Sequence, residues 1–152
     1  MKRYDAGTDY DSAAQLLYDR ACSGGNVVAC RKLGWILLNY IEEEFTSEGR
    51  RLLDDMCMKH KDARSCLHLG NYDRTYAEPV FGQHMALTKY LERGCDLGDA
   101  EACATVGAIY EKDGKEQDFA KAAAAFGKAC SAGTADACTR AAKLAPTPDA
   151  AP

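Results

Sequence analysis

Several residue types are scarce in this sequence, and each shortage excludes something. Proline occurs four times in 152 residues, three of them after residue 145, so little interrupts helices before the tail. The only histidines are His60, His68 and His84, too few and too scattered for the clustered ligands of a zinc hydrolase. Basic residues do not dominate: 19 Lys and Arg stand against 23 Asp and Glu, a net charge of −4. Nucleic acids and anionic membranes both select a basic surface, so neither is expected as a partner. No apolar run approaches the roughly 18 residues that a membrane-spanning helix needs. The Cys-x-x-Cys-His haem motif and a phosphate-cradling glycine loop are both missing. The serines are Ser12, Ser23, Ser47, Ser65 and Ser131, none with a lysine three residues on. Lys-Thr-Gly is absent too, so the serine β-lactamase constellation has no counterpart. No catalytic, cofactor-binding or metal-ligating residue is assigned, and no cofactor is expected.

Cysteine, by contrast, is abundant. Cys22, Cys30, Cys57, Cys66, Cys95, Cys103, Cys130 and Cys138 form four pairs with internal steps of 8, 9, 8 and 8. Successive pairs begin 35, 38 and 35 residues apart, and a period near 36 falls in the range of helix-hairpin solenoids. Aligning the segments on their cysteines exposes further columns. Four residues before the first cysteine stand Tyr18, Leu53, Leu91 and Phe126; three after it stand Gly25, His60, Gly98 and Gly133. Four before the second stand Asn26, Asp62, Asp99 and Thr134; four after it stand Gly34, Gly70, Gly107 and Ala142. Asn, Asp and Thr cap helix N-termini by accepting from free N–H groups. Glycine just ahead of them takes the left-handed conformation that ends a helix. Each cysteine pair therefore straddles the turn of a helical hairpin, and the small column lets helices approach closely.

The spacing predicts helices over 12–23, 27–43, 47–59, 63–73, 84–96, 100–112, 118–131 and 135–144. The fold class is all-α: an α/α superhelical solenoid of four helix-turn-helix repeats with one disulfide each. The repeats run about 12–46, 47–83, 84–117 and 118–144, after an N-terminal segment 1–11 and before a Pro/Ala tail, 145–152, read as disordered. Residues 74–83 form the longest irregular connection, broken by Pro79.

Three chemistries are open to the cysteines. On one continuous helix, residues eight apart lie about 12 Å apart along the axis, beyond the roughly 7 Å between Cα atoms that a disulfide tolerates. A turn between them brings the pair face to face, and pairs 22–30, 57–66, 95–103 and 130–138 become bridgeable. Structural zinc prefers two to four residues between paired ligands, so metal fits poorly. Reduced core cysteines are the third reading. Bridges fit best, each closing a short loop for roughly 2–3 kcal/mol. His60 and His68 flank the second turn and read as surface histidines rather than metal ligands. Trp35 reads as core.

The run Gly98-Asp99-Ala100-Glu101-Ala102-Cys103, with Val106-Gly107, Tyr110, Asp118, Lys121-Ala122, Phe126 and Lys128-Ala129-Cys130, resembles the Sel1-like repeat. With its paired cysteines the chain is similar to the disulfide-bridged branch of that family, the Helicobacter cysteine-rich proteins. The resemblance covers about residues 10–144. It is close in the third and fourth repeats and weak in the second, whose turn is one residue longer and lacks its glycine. The resemblance implies a right-handed superhelix acting as a protein- or peptide-binding adaptor, secreted or periplasmic. It also implies an alternative, a penicillin-binding protein or weak β-lactamase, as in some members; a second alternative, resting on the compactness of a repeat protein and not on the resemblance, is an immunity protein that blocks a toxin.

In such solenoids the first helix of each hairpin usually lines the concave face. Its polar positions here include Gln15, Asp19, Arg50, Arg51, Asp54, Lys89 and Arg93. The irregular segment 72–81 adds Tyr72, Arg74 and Tyr76, residue types favoured as binding anchors. These ten are the expected partner-binding residues, on a chain expected to be monomeric. Met1-Lys2-Arg3 is followed by Tyr4-Asp5 rather than an apolar run, so no signal peptide is read. Bridges want an oxidising compartment, which implies a leader removed ahead of residue 1. The alternative is a cytoplasmic protein with reduced cysteines. Mass spectrometry after alkylation under denaturing, non-reducing conditions is expected to find no free thiol; eight alkylated cysteines in native material would sink the bridge assignment.

Overall fold

Glycine and the capping residues set the hairpin turns. Gly25, Gly98 and Gly133 have φ of +87°, +94° and +97°, the left-handed region that costs a side chain-bearing residue about 1–2 kcal/mol. At each, two backbone bonds close the helix: Gly25 N–H to Cys22 and Asn26 N–H to Ala21, repeated as Gly98 to Cys95 with Asp99 to Gly94, and Gly133 to Cys130 with Thr134 to Ala129. This is the Schellman arrangement. Asn26, Asp62 and Asp99 then accept from the N–H groups of Ala29, Ser65 and Ala102 at 2.9, 3.1 and 2.9 Å. Thr134 holds the same position, but its side chain makes no capping bond. In the second hairpin the extra residue moves the left-handed position one place along, from His60 in the aligned column to Lys61 at φ 54°.

The structure is a computed structural model describing residues 9–39, 43–76, 84–112 and 118–145. Among these residues the chain is all helix: α1 (Asp9–Ser23), α2 (Val27–Leu38), α3 (Glu43–Met58), α4 (Ala63–Tyr76), α5 (His84–Asp96), α6 (Ala100–Lys112), α7 (Phe119–Ser131) and α8 (Ala135–Leu144). Every helix packs on the helix before and the helix after it, and only glancingly on the next but one. That is the connectivity of a solenoid, in which each repeat contacts its neighbours alone. Each hairpin carries one disulfide across its turn: 22–30, 57–66, 95–103 and 130–138, with Cα atoms 4.5, 4.9, 4.4 and 4.6 Å apart. None of the eight thiols is free.

Four boundaries differ from the expected ones by three residues or more. α1 begins at Asp9 rather than Ser12. α2 stops at Leu38 instead of running to 43, because Asn39 caps it, donating Nδ2–H to the Trp35 carbonyl at 2.7 Å and N–H to that of Ile36 at 3.1 Å. α3 then starts at Glu43, where Glu43 and Glu44 suit the positive N-terminal end of the helix dipole. α4 runs on to Tyr76, since nothing before Pro79 breaks it, and Thr75 returns its hydroxyl to the Asn71 carbonyl at 2.9 Å. The 145–152 tail beyond Ala145 lies outside the described residues, as does Pro79.

Repeats join by one recurring contact. The residue four before a hairpin's first cysteine enters the gap left by the small residue on the preceding hairpin's second helix. A Cβ built on Gly34 would lie 2.8 Å from Leu53 Cγ, one on Gly70 2.5 Å from Leu91 Cγ, and one on Gly107 3.0 Å from the Phe126 ring. At the first junction Gly49 returns the favour: its Cβ would lie 2.5 Å from the Leu38 backbone nitrogen. Leu53, Leu91 and Phe126 are accordingly buried almost completely.

Two glycine-to-alanine changes should therefore act in opposite directions. Gly70→Ala overlaps Leu91 and is expected to cost about 1–3 kcal/mol. Gly127→Ala meets nothing within 4 Å and is expected to gain about 0.5–1 kcal/mol from helix propensity. Urea unfolding of both variants checks this, and equal effects would refute the close-packing account.

Candidate interaction surface

The first helices α1, α3, α5 and α7 carry the polar columns, and the structure sorts them into paired and open residues. Arg50 reaches from α3 to α4 and grips Asp73 with both guanidinium nitrogens, Nη2 at 2.9 Å from Oδ2. That carboxylate raises the arginine's pKa against the opposing effect of its partial burial. Asp54 accepts the Tyr90 hydroxyl at 2.6 Å across the next repeat boundary. Burial first, and the bond to Asp54 second, push the Tyr90 phenol up to about 12. Both residues thus belong to the scaffold as much as to a surface. Gln15 is a correction to the expected set: it is 5% exposed and does not face solvent. Polarity alone does not keep a helix position in solvent where neighbouring residues cover it.

The remaining residues stay accessible. Arg51 is exposed, 4.0 Å from Asp55 one turn on; Asp55 itself is held below its ordinary pKa mainly by Lys59. Lys89 is exposed above the ring of Tyr90 at 5.5 Å. Asp19 and Arg93 are half-buried, and the Arg93 Nε is enclosed without a partner among the described residues. Tyr72, Arg74 and Tyr76 were expected on an irregular connection, but they occupy the last turns of α4. The Tyr72 and Tyr76 rings touch at 4.6 Å, as residues one helical turn apart can. Tyr72 packs inward beside Tyr90, while Arg74 and Tyr76 are exposed.

Two features went unread in the sequence. Trp35, expected in the core, is 40% exposed and stacks on His68 of the next hairpin at 4.5 Å between ring centroids. Burial lowers the His68 pKa, and Arg64 and Arg31 lower it further. Both arginines serve as inter-repeat ties, Arg31 to Asp62 at 2.8 Å and Arg64 to Glu101 at 2.7 Å. The second feature is a groove of about 670 Å³ between the third hairpin's turn and α7, lined by Asp96, Cys95, Cys103, Ala124, Gly127, Lys128 and Ser131. Its floor has a direct origin in the sequence. Gly127 and Ala124 stand where the second repeat has Asp54 and Arg51 and the third has Glu92 and Lys89. Stripping those side chains opens the cleft, and Lys128 closes one wall through its ion pair with Asp96 at 2.7 Å.

Among known structures, the chain superimposes on a Sel1 repeat protein from Oxalobacter formigenes with a TM-score of 0.66, at 18% identity. The fold is that of a Sel1 repeat protein. The match takes in 85% of this chain and 53% of the other, so the chain spans about half the length of that Sel1 protein. No family model and no curated protein matches the sequence. The Sel1 repeat fold accounts for the glycine columns as well as the helices, since each small residue is the seat for the next repeat. No described helix is long and apolar enough to cross a membrane.

His68 supplies the test of this surface. Because its folded pKa lies below the ordinary 6.5, the unfolded chain takes up a proton that the folded chain resists. Stability is therefore expected to fall as pH drops below 6.5 and to level off under the folded pKa. Histidine ring-proton NMR is expected to place the His68 midpoint below 6.5, with Trp35→Ala moving it upward as the ring is uncovered. A midpoint at or above 6.5 in the unaltered protein contradicts the buried stack.

Proposed function

We propose that this chain is a disulfide-stapled Sel1-repeat adaptor that binds a protein or peptide partner. The observation that carries the reading is the division of labour along each hairpin. Disulfides tie each hairpin, and Leu53, Leu91 and Phe126 turn inward onto their glycine seats, while Arg51, Lys89, Arg74 and Tyr76 remain exposed on successive helices. Arrayed side chains on a rigid solenoid are the usual means by which repeat proteins grip an extended partner. The binding surface is formed by the exposed polar positions of α3 and α5 together with the end of α4. Tyr and Arg at that end are residue types that serve as anchors. The groove over Gly127 extends the surface onto α7.

The four bridges support membership in the disulfide-bridged branch that the Helicobacter cysteine-rich proteins represent, and with it a periplasmic or secreted location. Thiols of this kind stay oxidised in such compartments and are reduced in the cytosol. The four repeats of about 12–46, 47–83, 84–117 and 118–144 act as one unit, because each shares its small-residue seat with the next.

The test is capture from the native source under oxidising conditions, followed by identification of the partner and direct affinity measurement with surface variants. Arg74→Ala and Tyr76→Ala are each expected to weaken binding by about 1–2 kcal/mol, roughly five- to thirty-fold. Both lie on the surface, so the melting temperature should hold within a few degrees. A captured partner indifferent to these changes and to Arg51→Glu and Lys89→Glu would overturn the assigned surface. Nitrocefin turnover by the unaltered protein, with no protein partner captured, would favour the β-lactam reading instead.

A further inference from the structure

Trp35 is the chain's one tryptophan, and it stands on the outward face of α2. Val28, Arg31, Lys32 and Trp35 follow at helical spacing and share that face, opposite the buried Leu33 and Leu37. Val28 is 49% and Trp35 40% exposed. Trp35 leans toward the following hairpin, where its ring stacks on His68. Arg64 precedes His68 on α4 by four residues, as Arg31 precedes Trp35 on α2. Two arginines thus stand one helical turn before two stacked rings, at an internal junction with both of its hairpins in place.

This face is cationic on a chain of net charge −4. α2 contains Arg31 and Lys32 and no carboxylate. Lys32 makes no ion pair among the described residues and lies 3.4 Å from the Tyr18 hydroxyl. Arg31 and Arg64 each use one nitrogen in their inter-repeat ties. Arg31 Nη1 donates to Asp62 at 2.8 Å, and Arg64 Nη1 to Glu101 and Asp99 at 2.7 and 3.2 Å. Their Nη2 and Nε groups make no bond among the described residues and are not enclosed. A guanidinium presents five N–H donors, so both arginines keep donors for a further carboxylate. The field at the neighbouring imidazole has the same sign, since Arg64 and Arg31 act on His68 more strongly than Asp62 and Glu101 do.

We propose that the outward face of α2 and α4 around Trp35 docks an acidic segment of another protein. An apolar side chain of that segment lies against the exposed part of Trp35, and its carboxylates meet the open donors of Arg31, Arg64 and Lys32. Charge complementarity selects this occupant. The guanidinium fork matches a carboxylate with two parallel bonds, and Trp and Arg are the residue types that anchor interfaces most often. A nucleic acid fits less well, because three fixed cations neutralise few phosphates and the rest of the chain repels a polyanion. The face shares no residue with the surface on α3, α5 and the end of α4, so it goes beyond the adaptor reading and stands apart from it.

The probe is an N-acetylated, C-amidated peptide, Gly-Asp-Glu-Leu-Glu-Asp-Ser-Gly, titrated into the full chain. A saturable change in tryptophan emission is expected, unambiguous because Trp35 is the one fluorophore of its kind, and added salt should weaken the binding. Carboxylates beside the imidazole favour its charged form, so the His68 midpoint in ring-proton NMR should move upward on binding. The same peptide with Asn and Gln replacing its acids is expected to bind at least about fivefold more weakly. Arg64→Gln, on a side chain already 45% exposed, should weaken the acidic peptide at least about threefold while the chain stays folded. Trp35→Ala, followed by amide shifts on α2 and α4, should weaken it at least about fivefold. Lys143→Gln removes a charge from exposed α8 and should leave affinity within about twofold. No emission change up to about 1 mM peptide, equal affinity for the neutral peptide, or shifts centred away from α2 and α4 would each overturn the proposal. Tighter binding of a single-stranded oligonucleotide than of the acidic peptide would assign the face to nucleic acid and overturn it. Self-association of the chain alone, abolished by Arg64→Gln, would assign it to a second copy and overturn it as well.

Discussion

Everything in this structure depends on how closely consecutive hairpins approach. At each junction a leucine or phenylalanine seats directly on the backbone of a glycine, at distances where a methyl group would already collide. A solenoid has no central core to absorb a poor fit, so its stability resides in such nearest-neighbour contacts. Close backbone approach also compensates for a composition rich in alanine, which buries little area per residue. The buried cluster over the third and fourth hairpins contains Ala102, Ala122, Ala125, Ala129 and Ala137 beside Phe126, Tyr110 and Leu91. Alanine suffices there only because the helices are near enough for small side chains to touch.

The disulfides act on a different scale from the junctions. Each ties two helices of one hairpin and none ties one hairpin to the next. They make each hairpin a rigid unit and leave the register between units to glycine seats and polar ties. Those ties recur along the chain: Arg31 to Asp62, Arg64 to Asp99, Arg140 to Glu111. Asp62 and Asp99 serve twice, capping their own helix and anchoring the arginine of the preceding hairpin. A capping residue is therefore also a repeat-to-repeat connector, and its carboxylate is needed where asparagine or threonine would cap equally well. Burial grades the bridges as well. Both sulfurs of the two central bridges sit in buried residues, whereas Cys22, Cys130 and Cys138 are half-exposed, because among the described residues the first and fourth hairpins each pack on one neighbouring hairpin.

Much of the fold was legible in the residues. Cysteine spacing located the hairpins, the Asn/Asp column located helix starts, and the small column marked where helices meet. These are local signals, complete within a dozen residues. The departures came where a local signal was absent or misleading. Nothing in 74–76 announces a helix or a break, and α4 includes them. Asn39 capped α2 earlier than its apolar run suggested. Lys61 took the left-handed place because one inserted residue shifts the turn, and the alignment had no glycine to mark it.

The candidate surface was less legible, for a physical reason. Composition and spacing by themselves determined an all-helical repeat, four intra-hairpin cysteine pairs, and which helix faces are polar. Tertiary packing decided which of those polar groups are available. Arg50 and Asp54 were claimed by Asp73 and Tyr90, residues 23 and 36 positions away, and Gln15 was covered. Trp35 was left 40% exposed, with one ring face stacked on His68. Helical periodicity states the direction in which a side chain points, but only the neighbouring repeat determines whether anything stands there to meet it.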